Sequence, residues 1–278
     1  MIGHIKQSKY FKNLIENGSL GHAYLFTGPE MIGKRSFALD IYRLMNGREV
    51  IGDPDFISVA PNLEEDESKI SIKHIRKLKS FFSLKPYVGP FKFALINDAH
   101  DLTSEASNAL LKVLEEPPKF SVLILVSFLP GLLPATIRSR CETVKFNEIS
   151  RDLVETYLSN KKVNKNDSEF ILKLAGGRIG LIKKLVENKE LVNARKAVED
   201  LRKLFNAPIY ERMNYAKKVH DGGDYQPRVD YWLSWVSAHV GTASRNEKIV
   251  KNLLYLHSIV SQPQYNHRLA LENFLLNL

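Results

Sequence analysis

The run Gly28-Pro29-Glu30-Met31-Ile32-Gly33-Lys34-Arg35 matches the phosphate-binding pattern G-x-x-x-x-G-K-[ST] at every defined position except the last. In a working loop of this kind the backbone N–H groups cradle phosphates, the lysine reaches the outer ones, and the Ser/Thr hydroxyl ligates Mg²⁺. Gly28, Gly33 and Lys34 are therefore candidate phosphate-binding residues, and Arg35 stands where the metal ligand belongs. Ser36 does not replace that ligand, because one residue along a helix turns a side chain by about 100°. For these eight residues alone the alternative is a chance Gly-rich turn. Their surroundings favour the site: His22–Thr27 reads as a buried strand feeding the loop, and residues 36–42 as an apolar-rich helix leaving it.

A nucleotide site of this type has a second half, an apolar strand ending in acidic residues. One carboxylate holds Mg²⁺ through water and the next polarises the attacking water. The candidate is Ala94-Leu95-Ile96-Asn97-Asp98-Ala99-His100. If Asp98 is the metal-side acid, Ala99 occupies the catalytic place; if Asp98 is catalytic, Asn97 occupies the metal place. Either register loses a carboxylate, and a third reading has Asp98 simply ending a strand. Hydrolysis needs a metal bridging the β- and γ-phosphates, so the two damaged positions imply an ATPase-shaped domain without ATPase activity. No cofactor is firmly required; ATP or ADP held without hydrolysis by Lys34 and the loop amides stays open.

Four further runs read as strands of the same sheet: residues 56–59, 93–96, 122–126 and 143–146. They are nearly continuous apolar runs, as expected of parallel strands covered on both faces. Between them Ile72, Ile75, Leu78 and Phe82 mark one helix. Another starts near Thr103 or Ser104, buries Ala106, Leu110, Val113 and Leu114, and stops before Pro117-Pro118. The alternation predicts an α/β domain over residues 1–148. Helical texture then takes over. Asn166-x-x-Glu169 resembles a capping box for a helix reaching Ala175, closed by Gly176-Gly177. Asn206-Ala207-Pro208 is a joint, and the helices beyond it break at Gly222-Gly223 and near Pro263. A helical domain over 149–206 and a second over 207–278 are therefore expected. The run Glu64-Glu65-Asp66-Glu67 is read as a solvated loop.

No apolar stretch among the 278 residues is long enough to span a bilayer, and residues 1–6 lack the apolar core of a signal peptide. Cys141 is the only cysteine, which excludes an internal disulfide and a multi-cysteine zinc site. A cytoplasmic protein is expected. The net charge of +9 suits an acidic partner such as nucleic acid, or a merely solvated surface. Lys73, Arg76, Lys77 and Lys79 form the obvious basic patch, but no stacking aromatics are interleaved with them.

Two segments carry a more specific signal: Asn108-Ala109-Leu110-Leu111-Lys112-Val113-Leu114-Glu115-Glu116-Pro117-Pro118, and Leu133-Pro134-Ala135-Thr136-Ile137-Arg138-Ser139-Arg140-Cys141. Together with Ile2-Gly3-His4 and the run from His22 to Pro29, they closely resemble the clamp-loader branch of the AAA+ superfamily. The resemblance is dense over residues 1–148, looser over 149–206 and only architectural beyond. It implies an α/β P-loop AAA+ domain with a parallel sheet, a small helical lid and an all-helical collar. Within the branch, the damaged site resembles the delta-prime class of bacterial DNA polymerase III subunits more than the ATP-hydrolysing tau/gamma class. Asn97 then aligns with the metal-side acid and Asp98 with the catalytic one, and His100 fits the motif as well.

The same resemblance makes Ser139-Arg140-Cys141 an interface motif whose arginine reaches the ATP of a neighbouring subunit. An arginine supplied in trans is worth roughly 10³–10⁵ in rate. Arg140 is thus the candidate catalytic residue in trans; the alternative is an ordinary surface ion pair. Cys141 is expected to be a small buried residue. The partners implied are tau/gamma and delta subunits and, through them, the sliding clamp and primed DNA, with no membrane. Relatives carry a four-cysteine zinc module where residues 46–57 have no cysteine, so no zinc is expected. Ser127 falls where the first phosphate sensor would lie, while Arg178 comes about one position early for the second. Trp232 and Trp235 fit a subunit interface or core packing equally well. The rival function is an ATP-hydrolysing clamp-loader motor that tolerates Arg35 and Asn97.

Overall fold

The computed structural model describes residues 3–61, 69–239, 244–262 and 264–278. Ile2, the acidic run 64–67 and Pro263 lie outside the described residues. The chain divides into two compact units, Met1–Ile149 and Ser150–Leu278.

In the first unit the elements run α1 (Ile5–Glu16), β1 (Ala23–Thr27), α2 (Lys34–Asn46), β2 (Phe56–Val59), α3 (Ile72–Ser83), β3 (Lys92–Ile96), α4 (Ser104–Glu115), β4 (Ser121–Ser127), α5 (Ala135–Arg138) and β5 (Glu142–Lys145). The five strands form one parallel sheet in the order β2-β3-β4-β1-β5. Parallel pairing forces each connection to cross over a sheet face, which is why helices separate the strands. Every residue of β1, β3 and β4 is buried. Their continuous apolar runs divide between the two faces by simple alternation. Leu25, Ala94, Ile96, Leu123 and Leu125 join the cluster that receives Ile75 and Leu78 of α3 and Leu110 and Leu114 of α4. Tyr24, Phe26, Phe93, Leu95 and Ile124 face the opposite cluster, where Phe11 of α1 and Phe37 and Ile41 of α2 pack.

Register decides where the loops emerge. Thr27 pairs with Ser127 and Ile96 with Leu125, so β1, β3 and β4 end along one edge with β4 between the other two. The phosphate loop, Asn97-Asp98 and Ser127 therefore share the carboxyl edge of the sheet, where open α/β folds bind ligands.

The second unit holds α6 (Arg151–Asn160), α7 (Lys165–Ala175), α8 (Ile179–Glu187), α9 (Leu191–Leu204), α10 (Ile209–Asp221), α11 (Tyr225–His239), α12 (Ser244–Val260) and α13 (His267–Leu276). Helix α11 packs against α7, α9 and α12, and α10 against α13. Trp232 is fully buried; its Nε1 donates to the Ala197 carbonyl at 2.8 Å and its ring stacks near Phe274. It is a core residue of this unit, and Trp235 stacks on Phe170. The cap of α7 corrects the sequence reading. Asn164, two residues before the expected Asn166, accepts the Asp167 N–H at 2.9 Å. Both asparagines suit an N-cap, and the earlier one takes it because the helix already runs from Lys165.

Candidate nucleotide site and the Arg140 turn

Strand β1 delivers the chain into the loop at Gly28, whose φ is +132°. A Cβ there would lie 2.1 Å from the Phe146 carbonyl oxygen, so the close approach of the two backbones requires glycine. Phe146 itself is fixed by its N–H bond to the Thr27 carbonyl at 2.8 Å. Gly33 caps α2 in the left-handed region, and His4 meets the Ile32 carbonyl at 2.7 Å, tying the chain's first turn to the loop.

Lys34 opens α2 and is only 5% exposed. Its ammonium donates to the carbonyls of Gly28 (2.7 Å) and Pro29 (2.5 Å). Burial pulls its pKa down to about 8, against the opposing pull of the Glu30 and Asp98 carboxylates. Arg35 and Ser36 are both exposed on the first turn of α2.

Asn97 continues β3, its N–H donating to the Val59 carbonyl at 2.8 Å, and its Nδ2 donates to Asp98 Oδ2 at 2.5 Å. Asp98 has φ +52° and turns the chain away from the sheet. Burial raises its carboxyl above the ordinary range, with nearby His100 opposing. Ser127 is buried; its Oγ accepts the Leu129 N–H at 3.1 Å and lies 3.3 Å from His100 Nδ1. Burial lowers the His100 pKa, which favours the neutral ring. The Arg178 guanidinium donates to the carbonyls of Leu174 (3.0 Å) and Ala175 (3.2 Å), closing the end of α7.

The Lys34 ammonium is thus turned onto the carbonyls of its own loop. At the two positions that the resemblance assigns to Mg²⁺ ligands the chain carries Arg35 and Asn97, neither a hydroxyl nor a carboxylate. Among the described residues, no three or more His, Cys, Asp or Glu side chains are grouped as a metal site.

Arg140 follows the short helix α5. Leu133, Ile137 and Cys141 are buried in the same cluster as Leu110 and Leu114, which anchors the turn against α4. Burial pushes the Cys141 thiol up to about 12, leaving it inert. Ser139 Oγ and Arg140 Nη1 both donate to the Thr136 carbonyl, at 3.2 and 3.0 Å. Arg140 Nη2 lies 2.9 Å from Glu115 Oε1 at the end of α4, in a pair 37% and 48% exposed.

One cluster escaped sequence reasoning. The Asp55 carboxylate, 0% exposed, accepts the N–H groups of Tyr87, Val88 and Gly89 and pairs with Arg48, with Lys92 Nζ 3.9 Å away. It ties the segment before β2 to the loop before β3, across the stretch where a zinc module was considered. No short motif links these residues; a buried Lys92 opening an apolar strand was the available signal.

A family model described as "DNA polymerase III, delta subunit" matches residues 3–150 of the 278. The chain belongs to the DNA polymerase III delta-subunit family. Similar proteins within reach of this family include the DNA polymerase III subunit delta' of Bacillus subtilis (strain 168). It is 29% identical over 206 residues, covering 68% of this chain and 61% of that protein. The tau/gamma subunit of Haemophilus influenzae is 30% identical over 189 residues, covering 62% of this chain and 27% of that protein. The chain thus spans less than two thirds of the length of either. A gamma subunit-related protein of Thermotoga maritima has the same fold, with a TM-score of 0.61, 21% identity and 97% of each chain covered. The five-stranded parallel α/β unit followed by a helical unit is therefore a fold shared with that protein.

Proposed function

We propose that the chain is a clamp-loader subunit of DNA polymerase III of the delta-prime type. It does not hydrolyse ATP itself; it presents Arg140 to the ATP site of a neighbouring subunit during loading of the sliding clamp on primed DNA. The observation that carries this reading is a contrast within one domain. The chain's own site has neither Mg²⁺ ligand, while Arg140 stands exposed on a turn whose flanking residues Ile137 and Cys141 are buried. A trans arginine needs that combination, because it must be firmly based and still accessible to a second chain. Lys34 and the loop amides fit the phosphates of ATP or ADP, so binding without turnover is part of the proposal, and no hydrolytic step is assigned to this site. Residues 149–206 would act as the lid and 207–278 as the collar joining tau/gamma and delta partners in the cytoplasm.

Steady-state Mg²⁺-dependent ATP turnover by the isolated chain tests the passive half of this reading. Turnover at the level of a Lys34→Ala control is the expected outcome. Appreciable hydrolysis that disappears with that substitution would instead make the chain a motor.

A further inference from the structure

We infer that Glu115 is a positioning residue for Arg140, setting the direction in which the guanidinium leaves the domain. This inference rests on the trans-arginine reading above and gives a role to the acidic end of the α4 motif.

Three features of the geometry point to it. First, the backbones on either side are fixed relative to each other: Leu114, next to Glu115, and Cys141, next to Arg140, are buried in one apolar cluster with Ile137. What remains free between the two residues is side-chain torsion. Second, the guanidinium is held at two nitrogens, Nη2 by Glu115 at 2.9 Å and Nη1 by the Thr136 carbonyl at 3.0 Å. A guanidinium has five N–H donors in a rigid planar fork. These two contacts fix its plane and leave further donors for an oxyanion. Third, the pair is exposed, and exposed ion pairs contribute little to stability. Glu115 is exposed at the end of α4, with Pro117 and Pro118 just beyond.

A long, exposed arginine that must meet a phosphoryl group across an interface loses rate whenever it samples other rotamers. Effective positioning accounts for much of catalysis in phosphoryl transfer. Glu115 and the Thr136 carbonyl limit that sampling before the neighbour arrives. The carboxylate also sits at the carbonyl end of α4, where the helix dipole adds to its attraction for the cation.

The test is steady-state ATP turnover by the complex reconstituted with tau/gamma and delta, containing wild type, Glu115→Ala, Glu115→Gln, Arg140→Ala or the Glu115→Ala/Arg140→Ala double variant. Circular dichroism of each variant checks that it is folded. Glu115→Ala is expected to lower the kcat that depends on Arg140 by about three- to tenfold with KM for ATP unchanged. Glu115→Gln, which keeps an acceptor oxygen, should fall between it and wild type. The double variant should match Arg140→Ala alone, because Glu115 acts only through that arginine. Wild-type or raised kcat in Glu115→Ala overturns the inference, as does an equal loss in the Arg140→Ala background, which would reveal a role in α4 itself. If Arg140→Ala alone leaves turnover unchanged, the trans-arginine reading fails first, and the positioning role fails with it.

Discussion

At the scale of single residues, the most consequential charge away from the phosphate loop is Asp55. Burial raises its carboxyl, but the N–H groups of Gly89, Tyr87 and Val88 and the Arg48 guanidinium outweigh that and bring it down to about 2. A carboxylate whose folded pKa lies below its unfolded value stabilises the protein above the unfolded value, near 3.8, and that contribution disappears as pH falls towards 2. The first unit should therefore lose stability over that window, and Asp55→Asn should flatten the dependence. At neutral pH the same substitution should cost about 1–3 kcal/mol, since an amide has one acceptor oxygen for the N–H groups of Tyr87, Val88 and Gly89, while Arg48 keeps its pair with Asp53 at 3.0 Å. Urea titrations at pH 7 and pH 3 measure both effects; an unchanged midpoint at pH 7 would contradict the account. Asp55 was illegible in sequence because three of its partners are backbone N–H groups of Tyr87, Val88 and Gly89, far along the chain, and Arg48 and Lys92 look like ordinary surface charges. The positions of Lys34 and Asp98 were legible because one follows a glycine at the start of a helix and the other ends an apolar strand.

At the scale of elements, burial on both faces made the strands readable: β1, β3 and β4 have no polar face to blur the pattern. Helix α4 announced its start through Thr103, whose Oγ1 accepts the Ala106 N–H at 3.2 Å. Helix α7 misled because two asparagines compete for one cap and periodicity cannot choose between them. The order of strands was not readable either. It depends on which crossovers pair, and β4 enters between β1 and β3 from far along the chain. The tightest consequence of that order is the contact of the loop after β1 with the end of β5. Gly28→Ala should therefore destabilise the first unit by at least about 1–3 kcal/mol, from backbone strain at φ +132° and the collision with the Phe146 carbonyl. Thermal unfolding checks this; an unchanged midpoint would mean that β5 and the loop separate more easily than their close approach implies.

At the scale of the whole molecule, the proposed function separates nucleotide geometry from nucleotide chemistry. The first unit has a five-stranded parallel sheet and a buried Lys34 at the start of α2, with Arg35 and Asn97 at the positions that the resemblance assigns to Mg²⁺ ligands. The exposed arginine of the same unit is held by a carboxylate and a carbonyl in a form that a second chain could use. In sequence Arg140 was one of 40 Lys and Arg residues, distinguished only by the motif around it. The apolar anchoring by Ile137 and Cys141 and the contact with Glu115 emerge only when α4 and α5 are packed together. The most direct test of the account is single-turnover ATP hydrolysis by the complex reconstituted with tau/gamma and delta, comparing wild type with Arg140→Ala. The prediction is that the site beside this chain slows by about 10³-fold or more, removing its share of the burst. A burst of wild-type rate and amplitude in Arg140→Ala would contradict the account.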